Sequence, residues 1–283
     1  MRIEFLGTGG AITLPRPLCE CRVCSQARKE GLPYSRGGPS LFVHGPDVLI
    51  DTPEEIKDQL NRSRVTRIAA CFYSHWHPDH VMGRRVFDVN LDLRNWPPQN
   101  RRTDVYLPER VGRDFRERLG SWAHLAFLER QGVVRIVELE DGEDVNVGDV
   151  GIRPFRLAEE YVYAFMFTED GRRTLIAPDE LVGWEPPDWA RGPDLAILPM
   201  GIAEFNPLTG ERHIQREHPM LGIEATFEET LEIVEALEAR RVILTHIEEV
   251  DALTHDDLQE LGRRLRGQGR NVEFAYDILV VDV

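Results

Sequence analysis

The stretch SHWHPDH, residues 74 to 80, places three histidines and an aspartate directly behind the apolar run IAACFY, in a chain with nine histidines in all. A continuous apolar run of that length reads as a buried strand, so the imidazoles begin where the strand stops, on a loop at its carboxyl end. His75 and His77 are two residues apart and project to the same side of an extended segment. Pro78 then restricts the chain and turns Asp79 and His80 towards a second position. One short loop can thus feed two adjacent metals. Imidazole and carboxylate together suit zinc, and also manganese or iron. Four candidate ligands in six positions argue against a merely polar surface loop. Any fold of this chain must bury the strand and bring further ligands to its end.

The 283 residues are ample to bury a core, and a hydrophobic fraction of 42% with 29% charged residues is ordinary globular usage. No apolar run approaches the roughly 20 residues that span a bilayer, and the start MRIEFLGTGG lacks the apolar core of a signal peptide, so a cytoplasmic chain with no membrane partner is expected. Lys and Arg number 34 against 49 Asp and Glu, and the net charge of −15 disfavours tracking along extended nucleic acid. A bound divalent ion dominates its own neighbourhood, so an anionic small molecule is still admissible.

Strand patterns recur along the chain: RIEFLGTGG ending in a glycine turn, SLFVHGPDVLIDT as a hairpin, then VVRIVEL, DVNVG, GIRPFRL, YVYAFMF, RTLIAPDE, DLAILPMG, RVILTH and the closing VEFAYDILVVDV. The stretch PERVGRDFRERLGSWAHLAFLERQG has mixed helical character. A helix capped by Thr226 with Glu229 three residues on, and a second over THDDLQELGRRLRG, complete the pattern. With no low-complexity linker and no repeat, a layered α/β (α+β) sandwich forming one domain over 1–283 is expected.

The pattern H-x-H-x-D-H, here His75 to His80, resembles the signature of the metallo-β-lactamase fold, a four-layer αββα sandwich with a dinuclear metal site between its two sheets. EFLGTGG, VLIDT, LIAPDE and RVILTH resemble further segments of that family, and CECRVC with LTHIEEVD looks most like the PhnP-type phosphodiesterases, relatives of the tRNase Z group. The resemblance implies two divalent ions, Zn or Mn. His75 and His77 would hold the first, Asp79, His80 and His246 the second, and Asp179 would bridge them. The family's histidine before the bridging aspartate is missing. Glu159 sits close to where it belongs, with Glu160 as its rival, unless the pair forms an exposed turn that ligates nothing. A carboxylate there would favour a harder ion such as manganese.

Cys19, Cys21 and Cys24 can give three thiolates to a tetrahedral structural zinc in an insertion at about 17–38. In the family pattern the fourth ligand lies three residues beyond the last active-site histidine, which here is Glu249; His44 is the alternative, or the site has lost its zinc. Cys71, inside the apolar run, reads as a small buried hydrophobe. His218 resembles a family histidine that contacts phosphate or serves as acid, with His213 close by; His44, His124 and His255 otherwise read as structural. The implied activity is metal-dependent hydrolysis, in which a hydroxide shared by the metals cleaves a small or cyclic phosphodiester, with Asp79 orienting metal and hydroxide. A lactonase, a thioester hydrolase and a non-catalytic metal-binding protein are the alternatives. A homodimer is allowed but not dictated.

Overall fold

The computed structural model describes residues 1–96, 101–120 and 122–283. Fourteen strands among them form two seven-stranded sheets. The first sheet contains β1 (Arg2–Gly7), β2 (Ser40–His44), β3 (Val48–Ile50), β4 (Ala70–Phe72), β5 (Thr103–Pro108), β6 (Val134–Leu139) and β14 (Val280–Asp282). The second contains β7 (Val145–Val147), β8 (Val150–Arg156), β9 (Tyr163–Glu169), β10 (Arg172–Ile176), β11 (Leu195–Pro199), β12 (Val242–Thr245) and β13 (Val272–Phe274). The spatial orders are β14-β1-β2-β3-β4-β5-β6 and β13-β12-β11-β10-β9-β8-β7. Seven helices flank them: α1 (Arg22–Glu30), α2 (Ile56–Arg62), α3 (Pro78–Val81), α4 (Glu109–Glu117), α5 (Trp122–Arg130), α6 (Phe227–Leu237) and α7 (His255–Gly267).

Each sheet is antiparallel over part of its width and parallel over the rest. β3 to β6 are parallel in the first, and β10 to β13 in the second. Parallel strands buried on both faces read as unbroken apolar runs, as in ACF of β4 and VILT of β12, both wholly buried. One apolar core runs between the sheets, joining Ile3, Phe5, Leu49 and Phe72 to Phe165, Ile176, Ile197 and Ile243. A second core packs α6 and α7 against the outer face of the second sheet through Phe227, Leu237, Leu258 and Leu261. This is the layered sandwich expected from the strand and helix patterns.

Two local expectations are revised. The closing stretch VEFAYDILVVDV is two strands in different sheets, because Asp277 accepts hydrogen bonds from the Thr8 and Gly37 amides and Ile278 takes a positive φ of 69°, turning the chain across the sandwich. The helical stretch after β5 is broken into α4 and α5 by Gly120 at φ 58°; Ser121 lies outside the described residues. The β5 strand and helices α1 and α2 were not legible as separate elements. The predicted capping box of Thr226 with Glu229 is present on α6, and Thr254 with Asp257 forms a second one on α7.

Candidate metal centre

The parallel strands of both sheets end at a common rim, and their carboxyl ends carry the chemistry. β4 leads through Ser74 into His75, His77, Asp79 and His80; β10 leads to Asp179; β12 leads to His246. Ligands in open α/β sheets gather at such strand ends. His75, His77 and Asp179 offer ligand atoms that all lie within 4.8 Å of one another, and so do Asp79, His80 and His246. Asp179 also joins the two groups. Its Oδ2 is 3.2 Å from His75 Nε2 and 3.5 Å from His80 Nε2, while its Oδ1 is 3.3 Å from His246 Nε2.

The donor set fits a pair of cations. Nε2 of His75, of His80 and of His246 is buried without a hydrogen-bond partner. The neighbouring carboxylates are near enough to attract but too poorly directed to accept a hydrogen bond. Buried polar atoms left this way are costly, and ions between imidazole and carboxylate would satisfy them. The opposite nitrogens are fixed from behind. His80 Nδ1 lies 2.8 Å from Oδ2 of the buried Asp51, which also accepts from the Ser74 amide at 2.8 Å and the Ser74 hydroxyl at 2.6 Å. Ser74 Oγ is in turn 3.0 Å from His75 Nδ1. A carboxylate behind a histidine selects its tautomer and leaves Nε2 free for a metal.

The backbone is held away from its preferred conformations at three of these positions: Asp51, Glu180 and His246 have φ of 58°, 29° and 54°. Non-glycine residues in that region cost of order 1–3 kcal/mol each and persist where surrounding contacts impose them. One such contact is Gly10 of the first turn, where a Cβ would lie 2.5 Å from the His246 ring and 2.6 Å from Glu248 Oε1. The glycine turn after β1 therefore seats the last histidine.

The charges respond to this crowding. Burial opposes protonation of His246, but Asp179 and Asp79 outweigh it and raise its pKa to about 9. His80 is likewise raised by Asp79 and Asp51 against the cost of burial. His77 goes the other way, to about 4, because burial and the adjacent His75 ring disfavour a second positive charge. Despite burial, Asp79 and Asp179 are held well below the usual carboxylate range by the imidazoles. Beside His246 a small cavity of about 20 Å³, room for about one water, is lined by Asp179, Glu180, Glu224, Glu248 and Asp251. Burial and neighbouring carboxylates push Glu180 up to about 7 and Glu224 up to about 8.

Two predicted residues fall outside these groups. Glu159 belongs to neither: it opens a turn closed by the Val162 amide bonding to its carbonyl at 3.0 Å, and Glu160 is exposed. The residue that the turn presents is Tyr161, whose ring lies 5.5 Å from that of His77 and 6.2 Å from that of His75. An aromatic two residues beyond a tentative ligand carries no metal signature, so the sequence did not mark it. His218 is exposed and caps the short turn Pro219–Gly222, with Nδ1 accepting from the Met220 amide at 3.3 Å. It does not line the cavity beside His246. His213 is exposed, with Asn206 as neighbour.

The cysteines form a third group. Cys19, Cys21, Cys24 and Glu249 also offer atoms within 4.8 Å of one another, with Glu249 Oε1 at 3.3 Å from Cys19 Sγ and 3.1 Å from Cys21 Sγ. The Arg16 amide donates to Cys24 Sγ at 3.2 Å. Burial pushes the Cys21 thiol up to about 12. His44 is remote from this group, paired with Glu4 at 2.8 Å. His255 packs edge-on against Tyr34 and Tyr276, and His124 lies 3.2 Å from Asp88. Cys71 is fully buried in β4.

The beta-lactamase superfamily domain matches residues 46–247, well over half of the chain. The chain belongs to that superfamily. Its two-sheet sandwich is the metallo-β-lactamase fold. A diphosphatase of the PhnP family has the same fold, with a TM-score of 0.71, 22% identity and coverage of 100% of this chain and 97% of that one. Zn²⁺-bound PqqB from Methylobacterium extorquens gives 0.70 and 16% over the whole of both chains, and the short form of human tRNase Z gives 0.64 and 19% over 100% of this chain and 99% of that one. Among curated proteins, an octanoyltransferase of Porphyromonas gingivalis is 28% identical over 166 residues, 56% of this chain. The chain spans 30% of that relative's length.

Proposed function

We propose that the protein is a metal-dependent phosphodiesterase that hydrolyses a small or cyclic phosphodiester. The observation that carries this reading is the carboxylate of Asp179, whose two oxygens face His75 and His80 on one side and His246 on the other. When bound there, two divalent ions, zinc or manganese, supply a water of lowered pKa and offset the charge that grows on a phosphoryl group. His75 and His77 would hold the first ion, Asp79, His80 and His246 the second, with Asp179 shared; Asp51 and Ser74 keep the imidazoles in register. His218 would contact the phosphoryl group as a hydrogen-bond donor through Nε2, since its Nδ1 accepts from the Met220 amide. The likeness in fold to a PhnP-family diphosphatase and to tRNase Z supports phosphorus chemistry.

The carboxylates Glu180, Glu224 and Glu248 beside His246 bear on the substrate's charge. Burial and their mutual repulsion already hold them partly protonated near neutral pH, so this side admits little further negative charge, which favours a monoanionic diester over a dianionic phosphomonoester. They also keep a neutral lactone or thioester as the second reading. Cys19, Cys21, Cys24 and Glu249 would hold a structural zinc that ties the 17–38 insertion to the His246 segment. We place the protein in the cytoplasm acting on a small-molecule phosphoester; no described helix is long and apolar enough to cross a membrane.

The test is turnover of an aryl phosphodiester, an aryl lactone and a thioester by protein loaded with zinc or manganese, with metal atoms counted per chain. Diester hydrolysis that disappears in His77→Ala, with a total near three metals falling to near two in Cys21→Ser, is the expected result. Turnover of the lactone or thioester alone would replace the phosphodiesterase reading.

A further inference from the structure

The side of the metal centre bounded by His77 differs in character from the acidic side bounded by His246. Trp76, between two candidate ligands, is half-buried, with its ring 4.8 Å from that of His77 and 6.5 Å from that of Tyr161. The guanidinium of Arg118, from the end of α4, lies 4.8 Å from the centre of the Trp76 ring. Its Nε donates to Oδ1 of Asp114 at 2.8 Å. Asp114 is buried and also receives Arg110 Nε at 3.0 Å, so one carboxylate serves two arginines and a positive charge is left over. That charge reaches the Tyr161 hydroxyl, which also feels the carboxylates of Glu159, Asp179 and Glu180. Among the described residues, the Nη atoms of Arg118 have no hydrogen-bond partner, and the side chain is 47% exposed.

An arginine fixed through Nε and stacked on an indole has already given up much of its rotamer freedom, and its two Nη groups form a fork that matches two oxygens of a phosphate or carboxylate. We propose that Arg118, positioned by Trp76 and Asp114 beside Tyr161 and His77, anchors the anionic group of the substrate, and that the Trp76 and Tyr161 rings receive a flat apolar substituent next to it. The site thus selects a monoanionic ester with an aromatic or similarly planar group on the His77 side, and turns the remaining, uncharged part towards the carboxylates near His246. This rests on the hydrolytic reading of the metal centre and adds to it which end of the substrate lies where.

The probe is methyl(phenyl)phosphinate, a monoanion with no P–O–C bond to hydrolyse, titrated by calorimetry into zinc-loaded protein. Arg118→Met should weaken its binding about 10- to 100-fold, the value of a charge-assisted hydrogen bond, with Arg118→Lys between the two. On an aryl phosphodiester the same substitution should raise KM with little change in kcat, and metal content should stay at the wild-type level. Trp76→Leu leaves the Arg118–Asp114 pair in place and should weaken the probe by a smaller factor, which keeps the test decisive if Arg118→Met does not fold. Wild-type affinity in both variants, or loss of metal in step with loss of binding, overturns the proposal. If wild-type protein hydrolyses no phosphodiester, the functional reading fails while the titration still decides the role of Arg118.

Discussion

At the scale of single residues, the metal centre depends as much on what stands behind the histidines as on the histidines themselves. Asp51 accepts from Ser74 twice and faces His80 Nδ1, and its backbone is held at positive φ to do so. Asp51→Ala should therefore lower metal affinity about 10- to 100-fold, as removal of such outer partners does, checked by competition against a chelating dye at constant pH. His80 would lose its fixed tautomer and Ser74 its acceptor. The aspartate in VLIDT was legible as the acidic end of a strand, but its partner was not, because His80 is 29 positions away along the chain. Glu159 illustrates the opposite failure. Its position along the chain was near enough to the missing histidine, yet a turn of four residues directs Tyr161 to the metal side instead.

At the scale of elements, the connection between β13 and β14 shows how one buried carboxylate can join the two sheets. Asp277 accepts from the Thr8 amide at 2.9 Å, the Thr8 hydroxyl at 2.8 Å and the Gly37 amide at 3.0 Å, and pairs with Arg62 of α2. Four donors from three parts of the chain would lose their acceptor in Asp277→Ala. The expected cost is about 3–5 kcal/mol of stability, read from urea unfolding followed by circular dichroism. The stretch VEFAYDILVVDV reads as a single strand because apolar residues run on both sides of Asp277; only contacts with the Thr8 turn make it a crossover.

At the scale of the whole molecule, the metal centre is a concentration of opposite charges that the two sheets force together, and proton and metal binding must compete there. His246 is pushed up to about 9 and His80 is raised by facing carboxylates. Both therefore carry protons at neutral pH in chelated protein, whereas a metal needs them neutral. Metal uptake near pH 7.5 should release protons, detected in weakly buffered solution, and affinity should fall up to about tenfold per pH unit below about 9 for each proton displaced. The sign for stability is the reverse. The stabilisation that chelated protein gains from protonated His246 is fully present below the unfolded value of about 6.5 and is lost as pH rises through about 9. An affinity for metal that does not vary between pH 6.5 and 8.5 would contradict this account.

The layered α/β class, the Thr226 capping box and the strand that ends in the histidine cluster are legible in the sequence alone, because each is written in local periodicity or in closely spaced side-chain chemistry; Asp179 and His246 were reached through the resemblance to the metallo-β-lactamase family. Glu249 beside the cysteines was singled out by the family pattern, which has its fourth ligand three residues beyond the last active-site histidine. Tertiary packing was needed to show that Gly10 seats His246, that Tyr161 rather than Glu159 approaches His77, and that Arg118 lies over Trp76. These contacts join segments tens to hundreds of residues apart, where no local pattern constrains which side chains meet. The burial of a shared core between two sheets brings the strand ends to one rim, and that packing selects the neighbours.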